Sequence, residues 1–296
     1  MAWEQYIIET TAADLEQVES ALLDCGALAV SLEDAGDAPI LEPGPGETPL
    51  WPRMRVRALF EAGTAPAELG AHLARIVSCD AVAVREPLAD TDWSRAWLAH
   101  ARPLWFGDRL CVTPAELVPR DGRAGAAIVV IDPGLAFGTG SHPSTAHCLE
   151  WLASADLAGA RVLDYGCGSG VLAIAACMLG ALRATAVDID PQAREACLEN
   201  ARRNGCATRV SVLAPERLAA CGYDVVLANI LARPLIALAS VLSMLAREGG
   251  RVVLAGLFTD QEEEVRRAYS GSFDFEAVRR HEEWAALAAT RRRDGT

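Results

Sequence analysis

Apolar and polar positions along the chain change their period as it is read from the amino end. Trp3 to Glu9 alternates and predicts a strand; Ala12 to Cys25 has helical spacing with Asp14, Glu16 and Glu19 on its wet face; Ala27 to Glu33 alternates again. A loop rich in proline and glycine follows over 35–52, with Pro39, Pro43, Pro45 and Pro49. Arg53 to Glu61 then reads as a strand, Ala65 to Val77 as a helix and Ala81 to Glu86 as a strand. Strand, helix, strand, strand, helix, strand is the split βαβ order of a ferredoxin-like α+β domain, expected over residues 1–87.

From Pro87 to Pro103 the pattern changes. Trp93 and Trp97 stand four apart and are followed by Trp105 and Phe106, which predicts a linker helix over 88–104 with one aromatic face docked on a neighbouring domain. Strands are expected near Arg109 to Thr113 and Ala126 to Ile131. Beyond Arg161 strands and helices alternate: strand Arg161 to Asp164, a helix to Leu179, a strand to Asp188, helix Pro191 to Asn204, strand Arg209 to Leu213. Strand Asp224 to Asn229, helix Pro234 to Leu245 and strand Gly250 to Ala255 complete the series. Such alternation makes residues 105–296 an α/β domain, a mostly parallel sheet covered on both faces, whose ligands sit at the carboxyl ends of the strands.

Composition narrows the chemistry. The chain has 296 residues, 51% of them hydrophobic and 23% charged, a length and balance that suit two soluble domains. All 27 basic residues are arginine, which excludes a Walker-type phosphate loop, a Schiff base and a lysine general base. The nine cysteines form no C-x-x-C pair, so neither a zinc nor a thioredoxin motif is present and no metal is expected. No apolar run spans a membrane, and the amino end lacks the pattern of a secretory signal, so the expected location is the cytoplasm. The net charge of −13 is uneven: residues 1–89 hold 15 acids and five arginines, a net of −10. An acidic domain repels nucleic acid and attracts a basic partner.

Asp164-Tyr165-Gly166-Cys167-Gly168-Ser169-Gly170 follows a predicted strand and opens a helix. Its glycines let a ligand approach the backbone, and their G-x-G-x-G spacing differs from the G-x-G-x-x-G of nicotinamide sites. The next strand ends in Asp188, placed to accept both hydroxyls of a ribose; Asp190 reads instead as the cap of the following helix, with Pro191 in its first turn. Upstream, residues 132–145 place Gly138 and Gly140 beside Phe137 and bring Thr145 to the start of a helix. Packing alone calls for no such loop. Asn229-Ile230-Leu231-Ala232 ends the fourth parallel strand, where amine and amide methyltransferases carry an asparagine that accepts a hydrogen bond from the nitrogen.

The G-x-G-x-G loop is similar to the first motif of class I S-adenosylmethionine-dependent methyltransferases. With residues 132–145, 186–192 and 228–232, the chain resembles the bacterial ribosomal protein L11 methyltransferase family, PrmA, over nearly its whole length. Ser141 and Ser144 stand where that family commonly has threonine, and Tyr165 where an aliphatic is common. The resemblance implies a Rossmann-like sheet of seven strands and methyl transfer from S-adenosylmethionine to the α-amino group and lysine ε-amino groups of a basic ribosomal protein. It implies that the small domain grips that protein. Carried over by position, Thr145, Gly166, Asp188 and Asn229, with Gly138 and Gly168, contact the cofactor, while Phe137 lies beside the reacting methyl and Asn229 receives the amine. A monomer without nucleic-acid binding is expected. Competing readings are a methyltransferase of another basic protein, a nucleic-acid adenine methyltransferase, a nicotinamide oxidoreductase and a module that binds the cofactor without turnover. His142 is open to a proton-accepting or a turn-stabilising role, and Arg291 to Arg293 read as a solvated tail.

Overall fold

The computed structural model describes residues 3–36, 48–65, 69–73, 84–88, 101–131, 138, 140–219 and 222–293. The chain divides into two compact units, 1–99 and 100–296.

In the first unit, β1 (Trp3–Thr11), α1 (Leu15–Asp24), β2 (Ala29–Asp34), β3 (Arg53–Glu61), α2 (Leu69–Leu73) and β4 (Val84–Leu88) form an antiparallel sheet of order β2-β3-β1-β4. That order and the interleaved helices are ferredoxin-like, as the split βαβ pattern predicts. The period-two pattern explains the register: Met54, Val56, Ala58 and Phe60 of β3 are buried, together with Val18 and Leu22 of α1. Arginines of β3 and β4 are engaged locally. Arg53 and Arg55 reach Glu9, Arg57 reaches Glu33, and Arg85 reaches the buried Glu4. The proline-rich stretch 37–47, and residues 66–68 and 74–77 of the longer helix expected at 65–77, lie outside the described residues.

The linker tryptophans Trp93 and Trp97 also lie outside them. Leu88 closes β4 and β5 (Leu104–Phe106) begins at Leu104, so the ends of the helix expected over 88–104 are strand, and Trp105 and Phe106 belong to β5 rather than to a helical stripe. With β6 (Leu110–Thr113) and β7 (Ala127–Val130), β5 makes a small sheet of its own in the second unit.

The large sheet runs β10-β9-β8-β11-β12-β15-β13. Its elements are α3 (Pro143–Ser154), β8 (Arg161–Tyr165), α4 (Val171–Met178), β9 (Arg183–Val187), α5 (Pro191–Arg203), β10 (Val210–Leu213) and β11 (Tyr223–Asn229). Then come α6 (Ala232–Ala237), α7 (Ala239–Leu245), β12 (Ala246–Phe258), α8 (Glu262–Tyr269), β13 (Phe273–Phe275), β14 (Arg279–His281) and β15 (Trp284–Arg291). Seven strands lie on this path, and short β14 pairs with β15 as an eighth. β8 to β12 are parallel, while β15 enters antiparallel between β12 and β13. Alternate residues face opposite apolar clusters: Val225 and Leu227 of β11 pack with Ile174 of α4 on one side, Val226 and Ala228 with Leu235 of α6 on the other. The strand order reverses at β8/β11, the place where open α/β sheets form a crevice.

Arg291 and Arg292 are not merely solvated. Arg291 donates to the carbonyls of Ser243 in α7 and of Ala246 at the start of β12, and Arg292 reaches Asp274 at 2.8 Å.

Candidate active site

Three loops meet at the β8/β11 crevice. The first leaves β8 at Tyr165 and opens α4, with Gly166, Gly168 and Gly170 all at positive φ. Gly166 (φ +79) has no room for a side chain, since a Cβ would lie 2.2 Å from Cγ2 of Ile230. At Gly170 (φ +80) the obstacle is Sγ of Cys197, at 2.3 Å.

The second loop leaves β9 at Asp188. One carboxylate oxygen of Asp188 accepts from the Gly168 N–H (2.9 Å) and the other from the Asp190 N–H (3.0 Å), so this side chain fastens the glycine loop to its own strand end. A carboxylate offers about four acceptor positions, which leaves capacity for two further donors. Asp190 caps α5 by accepting from the Gln192 N–H at 2.9 Å, with Pro191 in the first turn, as its sequence predicts. Arg194 on α5 donates to the carbonyls of Asp188 and Ile189, holding Ile189 at 80% exposure beside the crevice.

The third loop ends β11 at Asn229. Its Nδ2 donates to Oγ1 of Thr145 at 3.0 Å, a contact across 84 residues of sequence. Thr145 is fully buried on the first turn of α3. With the amide nitrogen committed to Thr145, Oδ1 is the acceptor that Asn229 offers to another group. Gly138 reaches the same region, its carbonyl accepting from Oγ of Ser169 at 2.6 Å.

A cavity of about 550 Å³ joins these loops, a size suited to a nucleoside-bearing cofactor. Gly138, Thr145, Gly166, Gly168, Asp188 and Asn229 all line it. Phe137, expected beside them, lies outside the described residues. Ile189, Ile230 and Leu231, within the motif runs, also form its wall, and Pro215 and Glu216 of the turn after β10 line it without belonging to any motif. The rule that ligands gather at carboxyl ends of parallel strands was the available signal for that turn.

Among the ionisable groups shifted near the loops are Asp164 and His142. Asp164, at the base of the glycine loop, is pushed up to about 7, first by burial and further by the charge of Asp188, against a lowering by the Ala173 N–H that it accepts at 3.0 Å. Its other oxygen is buried without a hydrogen-bond partner. His142 caps α3: Nδ1 accepts from the Ser144 N–H and lies 2.8 Å from Oγ of Ser144, while the ring packs edge-on against Trp284. Burial lowers its pKa, opposed by Glu283. This geometry is that of the turn-stabilising role.

Relatives place the chain. The family model described as ribosomal protein L11 methyltransferase (PrmA) matches residues 2–292. Proteins named ribosomal protein L11 methyltransferase from Methylococcus capsulatus and Pseudomonas aeruginosa are 47% and 48% identical, over 98% and 99% of this chain and 99% and 100% of theirs. A crystal structure of a ribosomal protein L11 methylase from Lactobacillus delbrueckii subsp. bulgaricus matches 65% of this chain and 100% of that one, with 31% identity and a TM-score of 0.60. Fold, cavity and a match covering nearly the whole chain agree, and the chain belongs to the PrmA family of ribosomal protein L11 methyltransferases.

Proposed function

We propose that this methyltransferase carries methyl groups from S-adenosylmethionine to the α-amino group and lysine ε-amino groups of ribosomal protein L11. One observation carries the amine chemistry: Asn229, with its nitrogen held by Thr145, stands in one cavity with the glycine loop and Asp188. Asp188 receives the ribose hydroxyls, and Gly138, Gly166 and Gly168 let the backbone close on the cofactor, with Thr145 framing its methionine end. The group supplies a sulfonium methyl, which needs alignment more than activation.

The chain's task is to present a neutral amine. A lysine ammonium with pKa near 10.4 costs about 4 to 5 kcal/mol to deprotonate at pH 7. Desolvation within the cavity lowers that pKa, and Oδ1 of Asn229 accepts one remaining N–H so that the lone pair faces the methyl. His142 takes no part in the proton's departure, its Nδ1 being committed to Ser144. By family resemblance alone, Phe137 would stand beside the reacting methyl. The acidic small domain, 1–87, grips the basic substrate, residues 88–104 connect it to the catalytic domain 105–296, and the enzyme works as a cytoplasmic monomer without binding nucleic acid directly. Among the described residues no helix is long and apolar enough to cross a membrane.

The test is to incubate the protein with labelled S-adenosylmethionine and a total ribosomal extract, and to identify the labelled species by mass spectrometry. Label on L11 at amines is the expected result. Label on RNA, or on no ribosomal protein, overturns the proposal.

A further inference from the structure

β12 slips against one of its two neighbours. Against β11 it keeps register, with Leu254 beside Ala228 and Ala255 beside Asn229. Against β15, Leu254 pairs with Leu287 and Leu257 with Ala285, three steps on one strand for two on the other. The extra residue is a β-bulge at Ala255–Gly256, and it turns Leu257 to the same apolar cluster as Leu254. Gly256 has φ +83, and a Cβ there would stand 2.5, 2.9 and 3.1 Å from the carbonyl oxygen, carbonyl carbon and nitrogen of Ile230. All three are backbone atoms, which cannot turn aside as the end of a side chain can. The bulge is therefore the seat of the residue that follows Asn229.

Both partners of the Asn229–Thr145 hydrogen bond trace back to this seat. On one side Asn229 is joined directly to Ile230. On the other, Trp284 pairs with Phe258, just past the bulge, and their ring centroids lie 4.3 Å apart. The His142 ring meets Trp284 at 4.5 Å, and His142 caps the helix whose first turn carries Thr145. The bond is 3.0 Å long and Thr145 is fully buried, so a small displacement of either end breaks it. Without it the Asn229 amide can turn, and Oδ1 loses its fixed direction.

We propose that Gly256 and Trp284 are positioning residues for methyl transfer, fixing the two ends of the Asn229–Thr145 bond so that Oδ1 of Asn229 faces the incoming amine. The proposal rests on reading Asn229 as the acceptor of that amine. Neither residue lines the cavity; each acts through the element it holds.

The experiment measures methyl transfer to purified L11 at saturating cofactor, and S-adenosylhomocysteine binding by calorimetry, for the parent, Gly256→Ala, Trp284→Leu and Gly249→Ala, each also combined with Asn229→Ala. Gly249 is the control. It lies on β12 at φ +70 with nothing nearer than 3.7 Å to a Cβ, so alanine there carries a similar backbone strain away from Ile230. Gly256→Ala and Trp284→Leu are each expected to lower kcat about tenfold, with Kd within about threefold. In the Asn229→Ala background no Oδ1 remains to be aimed, and the same changes are expected to cost less than about twofold. Gly249→Ala lowers Tm and leaves kcat and Kd alone. If Gly256→Ala does not fold, Trp284→Leu carries the test by itself. In either variant, a loss of kcat that is equal in the two backgrounds, or no larger than in Gly249→Ala, overturns the proposal. A Kd that rises as far as kcat falls overturns it too, since the bulge would then act on the glycine loop through Ile230. A parent inactive on L11, or an Asn229→Ala variant with full turnover, overturns the underlying reading and this proposal together.

Discussion

Gly166→Ala places a methyl where the fold has two separate objections to it. At φ +79 an L-residue pays roughly 1 to 2 kcal/mol for the left-handed backbone. The added Cβ would also stand 2.2 Å from Cγ2 of Ile230, against an ordinary carbon contact of about 3.5 to 4 Å. Ile230 packs against the α6-side core, so it yields only by repacking, for roughly 1 to 3 kcal/mol more. The total, about 2 to 5 kcal/mol, lowers Tm by roughly 2 to 4 °C per kcal/mol in a unit of this size. The two shares separate in a double-mutant cycle with Ile230→Ala, measured by chemical denaturation and calorimetry. In the Ile230→Ala background the clash is gone, and the same methyl should cost only the backbone share, which gives a coupling of about 1 to 3 kcal/mol. Equal costs in both backgrounds, within about 0.5 kcal/mol, would refute the steric argument and leave backbone conformation as the sole reason for the glycine.

Asn229→Ala should bind S-adenosylhomocysteine nearly as well as the parent and lose about 100-fold in kcat; full turnover in that variant would remove Asn229 from the amine's path. Asp164 titrates at about 7 in the fold, above the carboxylate range of the unfolded chain, so its contribution is present at pH 4 and below and is lost as the pH rises to 7. Asp164→Asn should therefore flatten the fall in stability between pH 4 and 7 and gain on the order of 1 to 4 kcal/mol over the parent at pH 8, read from urea denaturation at several pH values. Reversing Glu16 and Asp24, exposed at the two ends of α1, to arginine should raise KM for the protein substrate severalfold and leave cofactor Kd unchanged; an unaltered KM would remove that helix from substrate recognition.

Legibility followed the kind of interaction. The parallel half of the large sheet was readable because each strand is a short apolar run closed by a turn, and Asp190-Pro191 announces its helix through local chemistry. The glycines, Asp188 and Asn229 were readable for a related reason, since they stand where strands end. What escaped depended on partners distant in sequence. Phe273 to Phe275 and Arg279 to His281 have three residues each, too few for a period, and Trp284 to Arg291 is rich in alanine, which favours helix until neighbouring strands supply the ladder. The Asn229–Thr145 bond and the hydrogen bonds of Asn204 with Val130 span 84 and 74 residues and leave no local mark. Ile230 belongs to the Asn229-to-Ala232 motif, but its part in excluding a side chain at Gly166 emerges only when two loops meet.

The position of β15 also bears on how the enzyme is made. It is the last strand among the described residues, yet it lies inside the sheet, between β12 and β13. During synthesis β8 to β12 can assemble in order as they emerge, but β12 keeps a bare flank, and β13 has nothing to pair with, until β15 arrives. Completion of the catalytic sheet is therefore tied to the synthesis of this strand, and a nascent chain stopped short of Trp284 carries every motif of the methyl-transfer site on a sheet that lacks the strand joining β12 to β13.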